Sequence, residues 1–225
     1  MSQYELKATQ RGEAVVTGLE ANRVLRNTYM LLAMTLGFSA VCAMFAMASN
    51  AQPVNIFMLL IGFYGLLFLT HKLANSAWGL AAVFALTGFM GYTIGPILNY
   101  YMSMSGGPEV VMMAFGGTAA IFVGLSAFAL ITKKDFSFLS GFMMAGFLVI
   151  VIAFIANLFL QMPALQLALS AGFMLFSSAA ILYQTGAIVH GGEKNYILAT
   201  VTLFVSIYNI FISLLNLLMA FTGQE

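Results

Sequence analysis

The densest hydrogen-bonding chemistry in the sequence lies in its last apolar stretch, residues 197–221, which is long enough to cross a bilayer and carries no formal charge. Five polar residues recur there at steps of four, three, four and three: Thr202, Ser206, Asn209, Ser213 and Asn216. This spacing places them on one face of a helix. A side-chain amide without a partner in hydrocarbon costs roughly 2–7 kcal/mol. The pattern therefore predicts that other helices enclose this one, which forms the core of the protein.

Polar residues in the other apolar segments extend this chemistry without adding charge, among them Asn99, Asn157 and Gln184. Gln184 and Ser206 fall at comparable depth in the last two segments, so they could hydrogen-bond across the bundle. Two interpretations stay open. The polar groups either hold the helices together, or they line a pathway whose candidate gate and polar core are Gln184, Ser206, Asn209, Ser213 and Asn216.

Carboxylates are confined to tails and connections: Glu5, Glu13, Glu20, Glu109, Asp135, Glu193 and Glu225. Charges inside the membrane are typical of proton relays and ion paths, so their absence counts against a proton-coupled pump. Neither the buried aspartate pair of an intramembrane protease nor a His-Glu-x-x-His zinc helix occurs. His71 and His190 have no obvious third metal ligand. We predict a protein that is not an enzyme and has no catalytic residue, metal site or cofactor.

The connection before the last segment is the most unusual polar stretch, with His190, Gly191, Gly192 and Glu193 in succession. One interpretation is a cytoplasmic contact or gate at the joint between the last two helices. The other is a tight interhelical turn in which the glycines supply positive φ.

These residues must be positioned by membrane helices, because 62% of the 225 residues are hydrophobic and only 7% are charged. A soluble domain carries nearer a quarter charged residues. Seven apolar segments approach or exceed the length needed to span the hydrocarbon: residues 28–48, 54–71, 77–102, 110–132, 136–160, 164–188 and 197–221. The sequence predicts an all-α integral membrane protein with seven transmembrane helices. It predicts no nucleic-acid partner, since there is no basic run of five residues.

The basic residues predict the orientation. All eight lie in the first tail or in alternate connections: Lys7, Arg11, Arg23, Arg26, Lys72, Lys133, Lys134 and Lys194. We therefore expect a cytoplasmic polar tail (residues 1–27), a transmembrane domain (residues 28–221) and a short external tail (residues 222–225). No cleaved signal is expected, because the first residues are polar.

Small residues predict where helices approach closely. They line one face of the third segment and one face of the sixth: Gly88, Gly91 and Gly95, then Ala164, Ala168 and Gly172. Pro96 removes a backbone hydrogen bond in the third segment, where we expect a kink.

Several stretches resemble the Bax inhibitor-1 superfamily, and its bacterial YccA-type branch in particular. They are residues 22–29, 35–40, 87–89, 95–98, 190–196 and 206–211. The resemblance covers nearly the whole chain. It implies a seven-helix bundle in which the last helix is central and the other six wrap it.

The resemblance implies two functions. YccA-type members are associated with the membrane-anchored AAA+ zinc protease FtsH, as slowly degraded substrates that restrain it. We therefore expect a bacterial inner-membrane protein that binds and modulates such a protease, with its tail as a mobile handle that could extend up to ~90 Å. The alternative is a cation (calcium) leak channel or transporter of the Bax inhibitor-1 type. Channel members are gated by two aspartates, at positions that correspond here to Gln184 and Ser206, which cannot titrate.

Overall fold

A computed structural model describes residues 3–222 of the protein, with side chains from Gly18 onward. Seven α-helices form the described chain: α1 Gln3–Ala48, α2 Ile56–Leu73, α3 Trp78–Met102, α4 Gly107–Thr132, α5 Leu139–Leu160, α6 Pro163–Val189 and α7 Tyr196–Thr222. All seven are long and apolar enough to cross a membrane. The predicted all-α membrane fold with seven spanning helices is confirmed.

The first helix differs from the sequence expectation, because α1 begins at Gln3 and runs without interruption into the first span. The polar tail that we expected to act as a mobile handle is helical in its described part, residues 3–27. This stretch of helix covers roughly 38 Å, compared with the ~90 Å that a fully extended tail could reach. The polar segment therefore reaches less far from the membrane than the sequence suggested.

The last helix is the centre of the bundle, as predicted. No residue of α7 between Tyr196 and Ala220 is exposed. The helices α1, α3, α4 and α6 pack directly against it, whereas α2 packs chiefly against α3 and α5 against α6. The six outer helices are thus not equivalent, since four form an inner ring and two lie outside it.

Two buried clusters surround α7 at different depths. The cluster nearer its amino end includes Leu86, Ile181 and Phe204, each no more than 1% exposed. The cluster nearer its carboxyl end includes Ala114 and Leu215, which are fully buried. Lipid tails are as apolar as these side chains, so van der Waals packing rather than escape from water holds the helices together.

Glycines allow α1 and α3 to approach closely, which confirms the expectation for the third segment. A Cβ added to Gly91 would overlap the backbone oxygen of Ser39, and one added to Gly95 would lie 2.8 Å from the backbone oxygen of Ala43.

Helix α3 continues through Pro96, which is buried, without interruption. The kink at Pro96 stays a prediction.

The small residues of α6 do not form a comparable interface. Ala164 and Ala168 are exposed, and Gly172 makes only ordinary contact distances to Ile150 of α5. The reason is rotational: the buried residues of α6, including Ser177 and Gln184, lie on the opposite face of the helix. The expectation of tight packing along this face was wrong for its first two residues.

Candidate functional site

The polar face of α7 is enclosed, but two of its hydroxyl groups, on Thr202 and Ser206, bond to their own helix. The Thr202 hydroxyl donates to the backbone oxygen of Leu198 at 3.1 Å, and the Ser206 hydroxyl donates to that of Thr202 at 2.8 Å. Back-bonding of this kind satisfies a hydroxyl without a neighbouring helix. These two side chains therefore tolerate an apolar environment and need no partner across the bundle.

Gln184 and Ser206 are both buried, at 6% and 4% exposed, yet no hydrogen bond joins their side chains in the described structure. The hydrogen bond that Gln184 and Ser206 could form across the bundle is absent, and the Ser206 hydroxyl donates within α7 instead. The Nε2 atom of Gln184 is inaccessible and has no partner. A buried donor left unpaired costs about 1–3 kcal/mol. Among the candidate gate residues in the described part of the chain, Gln184 alone has an inaccessible side-chain polar atom without a hydrogen-bond partner.

The remaining polar residues of α7 line a cavity of about 400 Å³ between α5, α6 and α7. Its hydrogen-bonding side chains come from all three helices: Asn157, Gln166, Ser170, Tyr208, Asn209, Ser213 and Asn216. We call this the amide cavity. No charged side chain lines it. Its chemistry is therefore hydrogen bonding by carboxamides and hydroxyls, without proton transfer near neutral pH.

Two asparagines that line the amide cavity differ in their hydrogen bonding. The Oδ1 atom of Asn157 is inaccessible to solvent and has no hydrogen-bond partner. Asn216 accepts a hydrogen bond from the Tyr101 hydroxyl of α3. The sequence gives no signal for this contact, since a tyrosine at a helix end does not reveal which helix its hydroxyl will meet. The amide cavity thus combines a bonded carboxamide oxygen on Asn216 with an unbonded one on Asn157.

The connection between α6 and α7 is a tight turn closed by backbone hydrogen bonds. Gly191 adopts a φ of +72°, a conformation that favours glycine. The backbone N–H groups of Gly192 and Glu193 both donate to the Ala187 oxygen, at 2.8 and 3.1 Å. The turn interpretation of this stretch is therefore supported by geometry, and its use as a contact stays a prediction.

His190 joins this turn to the connection between α4 and α5. Its Nδ1 lies 2.8 Å from the Gly186 backbone oxygen, and its Nε2 lies 3.0 Å from the Lys133 backbone oxygen. A neutral imidazole donates through one nitrogen only, so the tautomer decides which of the two carbonyl oxygens accepts its proton. In the α4–α5 connection the backbone N–H of Ser137 donates to the Asp135 carboxylate at 2.8 Å. This hydrogen bond lowers the pKa of Asp135, with smaller contributions from the Ser137 hydroxyl and from His190.

Asn195 is a residue whose role the sequence reasoning missed. Its Oδ1 accepts from the backbone N–H groups of Ile197 and Leu198 at 2.9 and 3.2 Å, which caps the start of α7. Its Nδ2 donates to the Ala74 backbone oxygen at 3.2 Å and to Asn75 Oδ1 at 2.8 Å. An asparagine just before a helix is a recognisable capping signal, but the contact with the α2–α3 connection has none. Asn195 and His190 together tie three connections into one surface.

A cleft of about 410 Å³ opens on this surface, between α1 and the α6–α7 connection. Its walls carry two acids and two bases, with Glu20 and Arg23 on α1 and Glu193 and Lys194 on the connection. We call it the charged cleft. His190 and Gly191 also line it, whereas Gly192 does not. The structure thus places three of the four predicted contact residues beside the polar part of α1.

Comparison with known proteins gives a consistent result. The family model described as inhibitor of apoptosis-promoting Bax1 matches residues 21–223. An uncharacterized protein of Pseudomonas aeruginosa is 58% identical over 96% of this chain and 95% of its own length. The Escherichia coli protein named modulator of FtsH protease YccA is 54% identical over 89% of this chain and 91% of its own. An uncharacterized membrane protein of Vibrio cholerae is 43% identical over 89% and 90%.

Proposed function

We propose, from the premise that the chain belongs to the Bax inhibitor-1 family, that it binds and modulates a membrane-anchored AAA+ quality-control protease of the FtsH type. One observation carries the proposal: a relative that is 54% identical over nine-tenths of its length bears the name of an FtsH modulator. Membership alone establishes a multi-pass membrane protein and leaves the partner open.

The charged cleft supports a contact on the face that we predict to be cytoplasmic. It lies between the polar part of α1 and the α6–α7 connection, and it presents charges of both signs. Paired charges at a surface select a partner and its register more than they add affinity. His190 and Asn195 hold the cleft wall to neighbouring connections, so a partner meets a positioned surface. We place the protease contact on residues 1–20 together with this cleft.

The test is affinity capture of the full-length protein from membranes in mild detergent, with an unrelated multi-pass membrane protein as control. We expect the protease to be recovered with this protein and not with the control. Deletion of residues 1–20 should protect the protein from degradation or relieve its restraint of the protease. Recovery no greater than the control, together with unchanged protease activity in a strain lacking the protein, would refute the proposal.

Separate variants locate the contact. Arg23→Glu with Lys194→Glu reverses both bases of the charged cleft and leaves residues 1–20 intact. Arg26→Glu is the control, because Arg26 lies on α1 but does not line the cleft. Loss of capture in the cleft variant alone would place the contact there, and loss on the deletion alone would place it on the tail. Capture that survives both changes would contradict a cytoplasmic contact and favour the helices.

A second candidate function is a cation leak, which the amide cavity and the unpartnered Gln184 favour. The amide cavity lies along the polar face of α7 and Gln184 lies on α6, and neither has a group that titrates near neutral pH. Purified protein in calcium-loaded vesicles tests this candidate. A calcium leak that Ser206→Leu abolishes would support conduction, whereas vesicles as tight as protein-free controls would exclude it.

A further inference from the structure

An apolar crevice of about 340 Å³ lies on the bundle between α1 and α4. Ala40 of α1 and Ala119 of α4 line it and are exposed. Deeper lining residues include Ile94 of α3 and Phe204 and Phe211 of α7, which are 7%, 1% and 5% exposed. The crevice therefore leads from the outer surface of the protein to its central helix.

The crevice lies at the depth of the bilayer hydrocarbon. Ala119 is twelve residues from the start of α4 at Gly107, which corresponds to about 18 Å along the helix. The hydrocarbon core is roughly 30 Å thick, so this position falls near its middle. Water is therefore not the solvent at the mouth of the crevice.

The residues that line the crevice offer a bound molecule apolar contacts and few hydrogen-bonding groups. No charged side chain and no carboxamide lines the crevice, and the Thr118 hydroxyl already donates to the Ala114 backbone oxygen at 2.7 Å. Buried water usually needs two to four polar partners, which an apolar lining does not provide. An empty crevice would forfeit dispersion contacts along its walls. The lining is therefore suited to a hydrocarbon.

The mouth of the crevice is continuous with the lipid-facing surface. Val41 and Met44 on α1 are 62% and 68% exposed, and Met112 and Val123 on α4 are 73% and 62% exposed. At this depth such side chains face acyl chains. We propose that the crevice binds an acyl chain of a membrane lipid, which contacts Phe204 and Phe211 of the central helix.

A transmembrane helix from a partner fits less well. A helix is about 10 Å across with its side chains. The floor residues Phe204 and Phe211 are only 1% and 5% exposed, so they lie at the bottom of an opening much narrower than the crevice mouth. A helix could rest on the mouth but could not reach the buried floor, whereas a single acyl chain is narrow enough to do so.

Photolabelling tests the proposal on the full-length protein in nanodiscs. The probe is phosphatidylethanolamine that carries a diazirine in the middle of one acyl chain. After irradiation and proteolysis, mass spectrometry locates the adducts. We expect adducts on α7 between Phe204 and Phe211, although both of these phenylalanines are buried, because the crevice gives a chain access to them.

Substitutions at two neighbouring alanines provide a variant that plugs the crevice and a control variant that does not. Ala119→Phe fills the crevice, whereas Ala120→Phe adds the same ring at an adjacent exposed position that does not line it. We expect the plug to reduce α7 adducts at least about fivefold, as when a filled cavity excludes its ligand, and the control to leave them unchanged. Labelling of α5, which has no buried residue, serves as the internal standard in both variants.

Two results would overturn the proposal. One is an unlabelled α7 in the wild-type protein while α5 is labelled. The other is equal labelling of α7 in the plugged and control variants. If Ala119→Phe does not fold, Ala40→Leu narrows the crevice from the opposite wall, and the same comparison is made against Gly37→Leu, at an exposed position of α1 that does not line it.

Discussion

At the scale of single residues, polar contacts between helices concentrate at the two ends of the bundle. At one end the Asn99 side chain donates to the Met47 backbone oxygen at 3.0 Å, and Tyr101 donates to Asn216. At the other end His190 and Asn195 link connections that are far apart in sequence. Between these ends, the hydroxyls of Ser206 and Thr118 bond to their own helices. The middle of the bundle is therefore held mainly by packing.

Asn195 should be the most sensitive residue of the connections that carry the charged cleft. Asn195→Ala removes the cap of α7 and both donors to the α2–α3 connection, and loss of a cap alone costs about 0.5–2 kcal/mol. Asn75→Ala removes only one of these contacts. Thermal unfolding in detergent should show a lower Tm for Asn195→Ala than for Asn75→Ala. Equal melting temperatures would mean that the cap contributes little.

Asp135 should give the protein a component of stability that disappears in acid. The hydrogen bond from the Ser137 backbone N–H holds the pKa of this carboxyl below its ordinary value. A group whose pKa is lowered on folding stabilises the folded state above its unfolded pKa, near 3.9, and loses that contribution as the pH falls through the lower folded pKa. At neutral pH, Asp135→Asn should therefore have a lower Tm than the wild type. This difference should vanish in acid, once Asp135 is protonated in both states.

At the scale of helices, the glycine face of α3 and the small-residue face of α6 look alike in sequence but behave differently. The first meets the backbone of α1, whereas Ala164 and Ala168 of the second are exposed. The difference arises because the rotation of each helix in the bundle is set by all of its neighbours together. Spacing shows that a face can pack closely, and the bundle decides whether it does.

Gly91→Ala should separate α1 from α3. The added methyl overlaps the backbone oxygen of Ser39, and backbone cannot move as a side-chain end can. Overpacking of this kind costs about 1–3 kcal/mol. Gly37→Ala is the control, since a Cβ there meets nothing within 4 Å and alanine favours the helix by up to about 1 kcal/mol. Thermal melting should show a lower Tm for the first variant and an equal or higher one for the second.

At the scale of the whole molecule, the two ends of the helix bundle differ in the polar groups that they offer to a partner or ligand. The connections that carry Lys133, His190 and Asn195 are hydrogen-bonded to one another, and the charged cleft lies among them. The amide cavity lies nearer the opposite ends of α6 and α7. A partner on the first face would meet charges, whereas a ligand in the amide cavity would meet apolar side chains and neutral hydrogen-bonding groups.

The orientation of these faces is a prediction that a pair of serines can test. Ser105 and Ser137 are exposed residues in the α3–α4 and α4–α5 connections, respectively. In a Cys42→Ser background, we expect Ser105→Cys to react with a membrane-impermeant maleimide from outside the cell and Ser137→Cys to react only after lysis. The opposite pattern would reverse the orientation and move the charged cleft to the external side.

Seven membrane-spanning helices and the enclosure of the last one could both be predicted from the residue pattern. Hydrocarbon requires the backbone groups of a spanning helix to be bonded within that helix, so local apolarity suffices to identify the spans. The spacing of Ser206, Asn209 and Asn216 suffices to predict enclosure. Three features came from the three-dimensional arrangement instead: Gln184 lacks a partner, Asn195 meets Asn75, and α1 and α4 leave a crevice. These features depend on which helix faces meet, and that depends on the packing of all seven helices together rather than on any one segment.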